Sequence, residues 1–519
     1  MAITDFEGAH IGRYTSLAAH LYGERELVAD RGVRLTFTAF HQWVEAVATW
    51  LVQQGVQPGD PVLIFSGNSA EVLAGQCAAW RIGAVPSPVV SAYRAHEIRQ
   101  IVAALRPRVV MSTVVPIGSR RLHRELDECV SGAQQDPLRV LLDGEEPGWT
   151  RMPGPGTAVS GPDLPSAPDD PNATSLILYT SGSTSAPKGV RLTTTGLWQG
   201  LRLFEQRGLF DEHSVGLTVA PLSHVGGLVT SFLAPLVLGG RTVVMRLWDA
   251  DEAVAHIAAE RVTYIGASMT FISDILDKYE SAPDGAYRLP TFTTGGASAP
   301  PALIKRADRL GIWGGRIFGM TETSGLASAP ARDATLWDRA HLDGFPADSV
   351  QVRIVDEDGH ELPPGSVGRI LLNGPQLTIG YTSDEDNAQH FVDGNLDSGD
   401  VGCVDERGWL SITGRTKDII NRGGEKLPAR DIEEALLGHP DVTGAAVIPI
   451  AHERLGEVPC AFVTTRLGTS VDTQEVQVFL RGRRLAAAKV PAEIHCVPSL
   501  PVSATGKVQK HVLATMREA

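Results

Sequence analysis

The sequence predicts an α/β fold: a large N-terminal domain of doubly wound α/β sheets plus a small β unit, followed by a small mobile α+β C-terminal domain. Three observations lead there. Short apolar runs alternate with segments of helical apolar spacing from about residue 60 to 345. From about residue 348 the apolar period drops to two, the pattern of antiparallel strands. Past Gly414-Arg415-Thr416-Lys417-Asp418 the helix–strand alternation resumes to the end of the chain. With 519 residues, 43% of them apolar, there is enough chain for two or more domains with real cores.

The elements follow in order. Residues 1 to about 60 read as helical, apart from a short extended segment, Arg34-Leu35-Thr36-Phe37. Asp60 leads into Pro-Val-Leu-Ile-Phe at 61–65, a compact buried strand, and Asn68 is placed to cap a helix running through Trp80. Strands at 108–111 and 139–142, separated by helical segments, imply a largely parallel sheet covered on both faces. Residues 145–173, rich in Pro, Gly and Asp, are a loop. A second α/β round spans about 195–345, with strands at 215–219, 241–245, 262–265, 291–294 and 316–318 and helices at 252–260 and 271–278. The β unit pairs 350–355 with 367–372 across a turn at 356–359, and 401–405 with 409–413. The domain division is set at 1–415 and 416–519. In the second part, 431–437 and 473–485 read as helices, 444–450 and 459–464 as strands, and 500–507 as a turn-rich loop ending on Lys507.

Composition excludes several function classes. A net charge of −14 gives no electrostatic grip on nucleic acid. The five cysteines, Cys77, Cys129, Cys403, Cys460 and Cys496, are scattered without a C-x-x-C, unlike a disulfide framework or a zinc site. Asp5 and Glu7 stand where a signal peptide needs a basic start. The longest apolar stretch, about 227–238, is too short to span a bilayer and contains a proline. The expected protein is soluble and cytoplasmic, with no membrane span.

The most informative stretch is Tyr179-Thr180-Ser181-Gly182-Ser183-Thr184-Ser185-Ala186-Pro187-Lys188-Gly189-Val190. It follows an apolar strand at 175–178, and its hydroxyls and glycine suit neither strand nor helix. Small side chains let backbone N–H groups turn towards an anion, and Lys188 adds a point charge matched to phosphate oxygens. A solvent-exposed linker has similar composition; the preceding strand and the lysine favour a phosphate loop. It is not the Walker type, because Lys188 is followed by Gly-Val and an extended Arg-Leu-Thr.

Further motifs recur downstream: Pro221-Leu222-Ser223-His224-Val225-Gly226-Gly227, Thr294-Gly295-Gly296-Ala297, and Arg316-Ile317-Phe318-Gly319-Met320-Thr321-Glu322. After them come Asp393-Gly394 through Ser398-Gly399-Asp400, Gly414 to Asp418, and Thr505-Gly506-Lys507. In this order and spacing the chain resembles the adenylate-forming superfamily of acyl-CoA synthetases, peptide-synthetase adenylation domains and luciferases, from about residue 30 onwards.

The resemblance implies an ATP-dependent ligase that forms an acyl-adenylate and pyrophosphate from a small-molecule acid, with Mg²⁺, and then passes the acyl group to CoA. It assigns Thr180, Ser181, Gly182, Ser183, Thr184 and Lys188 to the β- and γ-phosphates, and Thr321 to the neighbourhood of the α-phosphate. Glu322, with Thr184, would hold Mg²⁺, a hard cation suited to such oxygens. Asp400 would accept the ribose hydroxyls, with Arg415 on the other side. Gly295, Gly296, Ala297, Phe318 and Gly319 would enclose the adenine. Lys507 would clamp the α-phosphate, and Lys417 would be the hinge on which the C-terminal domain turns. His224 would border the acid pocket and gate thiol entry, with a packed or capping histidine as the close alternative. Ser223, His224, Gly266, Ser268, Met269, Thr294 and Met320 line the implied pocket, sized for an aryl or medium-sized acid.

Departures from the family pattern mark a divergent branch. Ser185 stands where glycine is usual, Asn395 replaces Trp, Ser398 replaces Thr, Phe318 replaces Tyr, and Ser268-Met269 replaces Pro-Thr. Two other outcomes stay open on the same chemistry: loading a separate carrier protein's phosphopantetheine, or activating nitrite to diazotise an aryl amine in natural-product biosynthesis. A non-catalytic nucleotide sensor is the reading from another class.

Overall fold

The structure is a computed structural model that describes residues 3–132, 136–161, 163–180, 187–282, 285–296, 299–423, 425–466, 471–482, 485–502 and 508–518. One parallel sheet runs in the order Val85–Val89, Pro61–Phe65, Val109–Ser112, Leu138–Leu141, Thr150–Arg151. The other large sheet has seven strands, in the order Trp313–Arg316, Thr291–Thr294, Tyr264–Ala267, Val215–Leu217, Arg241–Val243, Glu26–Asp30, Val33–Thr36. All its pairings are parallel except the last.

That last pairing corrects the reading of the first 60 residues. Glu26–Asp30 is a strand, and Arg31 and Gly32, both at positive φ (44° and 86°), turn it back into Val33–Thr36. Two such residues give the turn whose twist matches a hairpin. Phe37 opens a helix, Phe37–Gln53, instead of extending the strand, because the Thr36 hydroxyl caps it by accepting from Ala39 N at 3.1 Å. Its apolar residues Phe40, Trp43, Val44, Val47, Ala48 and Leu51 recur every three to four positions and are buried in the main core with Trp80, Phe204 and Phe232. Each large side chain buried in this way stabilises by about 1.5–3 kcal/mol.

Two further readings change. Ser69, not Asn68, caps the helix Ala70–Arg81. Asn68 instead donates to the carbonyls of Thr218, Ala220 and Met245 and accepts from Leu222 N, tying the two large sheets together. The strand expected at 316–318 lies at Trp313–Arg316, where Gly314 has no side chain because a Cβ there would sit 2.3 Å from the Phe292 ring.

The apolar stretch near 230 forms a buried helical run: Val225–Leu228, a π-helical turn Val229–Leu233, then Ala234–Leu238. Among the described residues no helix is long and apolar enough to cross a membrane.

The β unit is antiparallel as expected, ordered Gln351–Val355, Gly368–Asn373, Asn395–Val404, Phe391–Val392, with Leu410–Arg415 on Asn395–Val404. A final sheet runs Glu425–Pro428, Ile419–Arg422, Gly456–Thr465, Val442–His452, and Glu493–Cys496 pairs with Gly456–Thr465 in parallel. The helices Ala429–Leu436, Thr473–Gly482 and Lys510–Glu518 accompany it.

One buried node joins the two regions. Asp343 takes the Arg316 guanidinium at 2.8 and 3.0 Å and also accepts from Ile412 N at 2.8 Å. Arg430 approaches the same carboxylate at 3.9 Å and donates to the Ile412 carbonyl. On the surface, Lys426 pairs with Glu357.

Candidate active site

Thr174–Thr180 and Lys188–Thr193 form an antiparallel hairpin, with Thr180 paired to Lys188. Residues 181–186 between its strands, with Ser181, Gly182, Ser183, Thr184 and Ser185, lie outside the described residues. On its other side the second strand is joined by residues 379–382. Arg191 N donates to Gly380 O at 2.9 Å, Ile379 N to Arg191 O at 3.2 Å, and Thr382 N to Gly189 O at 2.8 Å. Glycine is required at 189, where a Cβ would lie 2.6 Å from Thr382 Oγ1.

This augmentation carries Tyr381 to Glu322: the phenol donates to Glu322 Oε1 at 2.9 Å. Glu322 is only 7% exposed. Burial raises its carboxyl above the usual range, while its own backbone N–H, the Tyr381 hydroxyl, Arg415 and Lys188 pull it back down. Thr321–Thr323 is a single 3-10 turn, and Ser324 (φ 54°) and Gly325 (φ 109°) reverse the chain after it. Gly319 lies so close to that reversal that a Cβ would sit 1.8 Å from Gly325 O. The fully buried Gln376 amide donates to the Thr323 and Leu326 carbonyls and closes the loop.

Asp400 and Arg415 are cross-strand partners on Asn395–Val404 and Leu410–Arg415, with Nε 3.1 Å from Oδ1. Ser398, which departs from the family's Thr in the Ser398-Gly399-Asp400 motif, braces Asp400: its hydroxyl donates to Ile370 O at 2.8 Å and accepts from Asp400 N at 3.1 Å. Asn395 supports the turn before them. Its amide donates to Val392 O and Asp393 O, while Asp393 (φ 49°) and Gly394 (φ 75°) reverse the strand.

Lys188, whose charge acts with that of Arg415 on Glu322, has Nζ 3.3 Å from Asp386 Oδ1 and 3.0 Å from His390 Nε2. Lys188, Glu322, Asp400 and Arg415, separate motifs in the sequence, thus belong to one group of charges. Tyr381, Asp386, His390 and Gln376 were missed. Hydrogen-bonding side chains in a polar stretch carry no pattern of their own, and what selects them is a pairing between segments far apart in the chain.

The predicted residues at 223–224, 266–269, 294–296 and 318–320 lie at or after the carboxyl ends of the parallel strands, where α/β sheets bind ligands. A Cβ on Gly295 would meet Ile317 at 2.7 Å, and Gly296 has φ 77°, so this turn needs both glycines. Phe318 is buried, and its backbone pairs with Ser328. Ser268 precedes the helix Met269–Glu280; its hydroxyl and that of Thr294 are buried without a hydrogen-bond partner among the described residues. Gly266 does not leave room for a ring: a Cβ there would lie 2.8 Å from Thr230, whose side chain fills that space. His224 caps Val225–Leu228, its Nδ1 accepting from Gly226 N at 3.2 Å, and Ser223 precedes it, half-buried. Met269 and Met320 are half-buried. Lys417 is exposed in the 3-10 turn Thr416–Asp418. Ala297 and Lys507 lie outside the described residues.

Two large α/β sheets, an antiparallel unit and a terminal α+β domain, with carboxylates and cations gathered beside a hairpin, make a two-domain α/β enzyme. The family model described as AMP-binding enzyme matches residues 16–382, and that of the AMP-binding enzyme C-terminal domain matches 431–507. The chain belongs to the AMP-binding enzyme family and is an AMP-forming ligase. It is 32% identical over 515 residues to the indoleacetate–CoA ligase of Aromatoleum aromaticum, covering 98% of this chain and 97% of that one. It is 28% identical over 513 residues to the medium-chain fatty-acid–CoA ligase of Escherichia coli, covering 97% and 90%. Among solved structures it is similar to the amide bond synthetase McbA from Marinactinospora thermotolerans, with a TM-score of 0.85 at 24% identity, covering 98% and 100%. That last likeness speaks to the fold.

Proposed function

We propose that this chain activates an aryl or medium-sized carboxylic acid with ATP as the acyl-adenylate and then transfers the acyl group to CoA. The carrying observation is that Lys188, on the hairpin 174–193, and Arg415, paired with Asp400, both act on buried Glu322. The indoleacetate and fatty-acid ligases among the relatives support a carboxylic acid and CoA over nitrite or a carrier protein.

In the first half-reaction an acid oxygen bonds to the α-phosphorus as the bond to the β-phosphate oxygen breaks, releasing pyrophosphate. In the second, the CoA sulfur bonds to the acyl carbon, AMP leaves, and the thiol proton goes to solvent or a base. Both steps develop charge on oxygens, so fixed donors and cations supply the catalysis. Lys188 and the hydroxyls of Thr180 and Thr184 hold the β- and γ-phosphates, and Thr321 donates near the α-phosphate. Glu322 offers a hard carboxylate oxygen that fits Mg²⁺, which when bound neutralises phosphate charge. Asp400, held by Ser398 and Arg415, accepts from the ribose hydroxyls. Gly295, Gly296, Ala297 and Phe318 enclose the adenine, and Lys507 completes the clamp at the α-phosphate.

The domains divide at 415/416. Rotation about Lys417 lets one C-terminal domain serve both half-reactions, bringing Lys507 in for the first and withdrawing it for the second.

The test is pyrophosphate release from Mg-ATP without CoA, across aryl and aliphatic acids and nitrite, followed by addition of CoA. The expected outcome is release with a carboxylic acid and acyl-CoA on adding the thiol. Release with nitrite alone would sink this reading.

A further inference from the structure

The seven-residue helix Asp384–His390 has no part in the roles assigned above. It is nevertheless fastened to the site. Asn387 Oδ1 accepts from Tyr381 N at 2.7 Å and its amide donates to Tyr381 O at 3.2 Å. The His390 ring meets the Tyr381 ring edge-on, with centroids 5.2 Å apart. So the element that carries the Glu322 partner also positions the two residues that touch Lys188.

Those two contacts differ in kind. Asp386 Oδ1, 3.3 Å from Lys188 Nζ, is an anionic counter-ion, and both side chains are mostly shielded from water. His390 Nε2, at 3.0 Å, faces an ammonium that has donors and no acceptor. Nε2 must therefore accept, which makes His390 a neutral ring with its proton on Nδ1. Burial first, and the Lys188 charge second, hold its pKa below the ordinary imidazole range against the pull of Asp386 and Asp397.

We propose that His390 and Asp386 are positioning residues for Lys188: the imidazole aims the ammonium, and the carboxylate is the resident anion that the triphosphate displaces. This rests on the reading that Lys188 meets the phosphates. A neutral acceptor orients the lysine without competing for its charge, whereas an anion in van der Waals range competes directly with phosphate. The two residues therefore act on nucleotide affinity in opposite directions, and a purely structural pair would not.

The experiment is titration calorimetry of MgATP into the full-length chain, without acid, for wild type, Asp386→Asn, His390→Ala and His390→Gln. Asp386→Asn should tighten Kd by about threefold, the scale of a single ion pair offset by the cost of desolvating its charges. His390→Ala should weaken it by about tenfold, as for a lost hydrogen bond to a charged group. His390→Gln, which restores an acceptor at similar reach, should recover most of that loss. Weaker or unchanged binding in Asp386→Asn, or His390→Gln as weak as His390→Ala, overturns the proposal. This ordering, seen in a chain that releases pyrophosphate with no acid, supports the positioning and overturns the ligase reading. A wild type that does not bind MgATP overturns both.

Discussion

Tyr381 shows how much one hydroxyl carries. It donates to a buried carboxylate, and hydrogen bonds to charged groups are worth about 1.5–3 kcal/mol. Tyr381→Phe should lower acid-dependent pyrophosphate release by about tenfold, with the Mg-ATP KM rising more than kcat falls, because Glu322 loses its orientation. Steady-state kinetics at varied Mg-ATP check this; an unchanged KM would refute the link. Lys188, Glu322, Asp400 and Arg415 were legible because each sits in a motif of its own. Their organisers were not. His390 is 202 residues from Lys188 in the chain, and Tyr381 is 59 from Glu322. Both depend on the augmentation of the Lys188 strand by residues 379–382, which no local periodicity announces. Gly266 was misjudged for a related reason: a small residue leaves space, and only packing reveals that Thr230 occupies it.

Elements with a clear period were read nearly to the residue, among them Pro61–Phe65 and Thr291–Thr294. Those missed carry residues that argue against their own conformation. Val85–Val89 reads Val-Pro-Ser-Pro-Val, and its prolines are tolerated because it is an edge strand of its sheet. Glu26–Asp30 ends on a buried acid that is satisfied by the Arg246 guanidinium and Ala70 N, partners far along the chain. The helix Asp384–His390 buries none of its side chains fully, so it has no apolar stripe to recognise. The loop after Phe318 offers the sharpest test at this scale. Gly319→Ala places a methyl 1.8 Å from a backbone carbonyl, a clash no rotamer relieves. Overpacking of this kind costs about 1–3 kcal/mol, and here the backbone carrying Thr321 and Glu322 must move. A lower Tm together with loss of pyrophosphate release is expected; a wild-type Tm with full activity would show the loop to be more pliant than its geometry.

Across the whole molecule, the proposed division makes Lys417 the decisive position. Lys417→Pro fixes φ in the turn Thr416–Asp418 and so should spare adenylation while blocking thiol transfer. Pyrophosphate release and acyl-CoA formation, measured separately, check it, and survival of both half-reactions would move the hinge elsewhere. The strand that precedes this turn, Leu410–Arg415, carries Ile412 of the Asp343 node. Asp343 meets two arginines, Arg316 from its own side and Arg430 from beyond the proposed hinge. Breaking a buried ion pair usually strands a charge, which is what makes such contacts hard to undo. Under the proposed rotation Arg430 would leave for water while Asp343 keeps Arg316 and the Ile412 amide, so the parting would strand no anion. A junction built this way would serve the proposed rotation as a latch that releases without damage to the door frame, suited to opening and shutting once in every turnover.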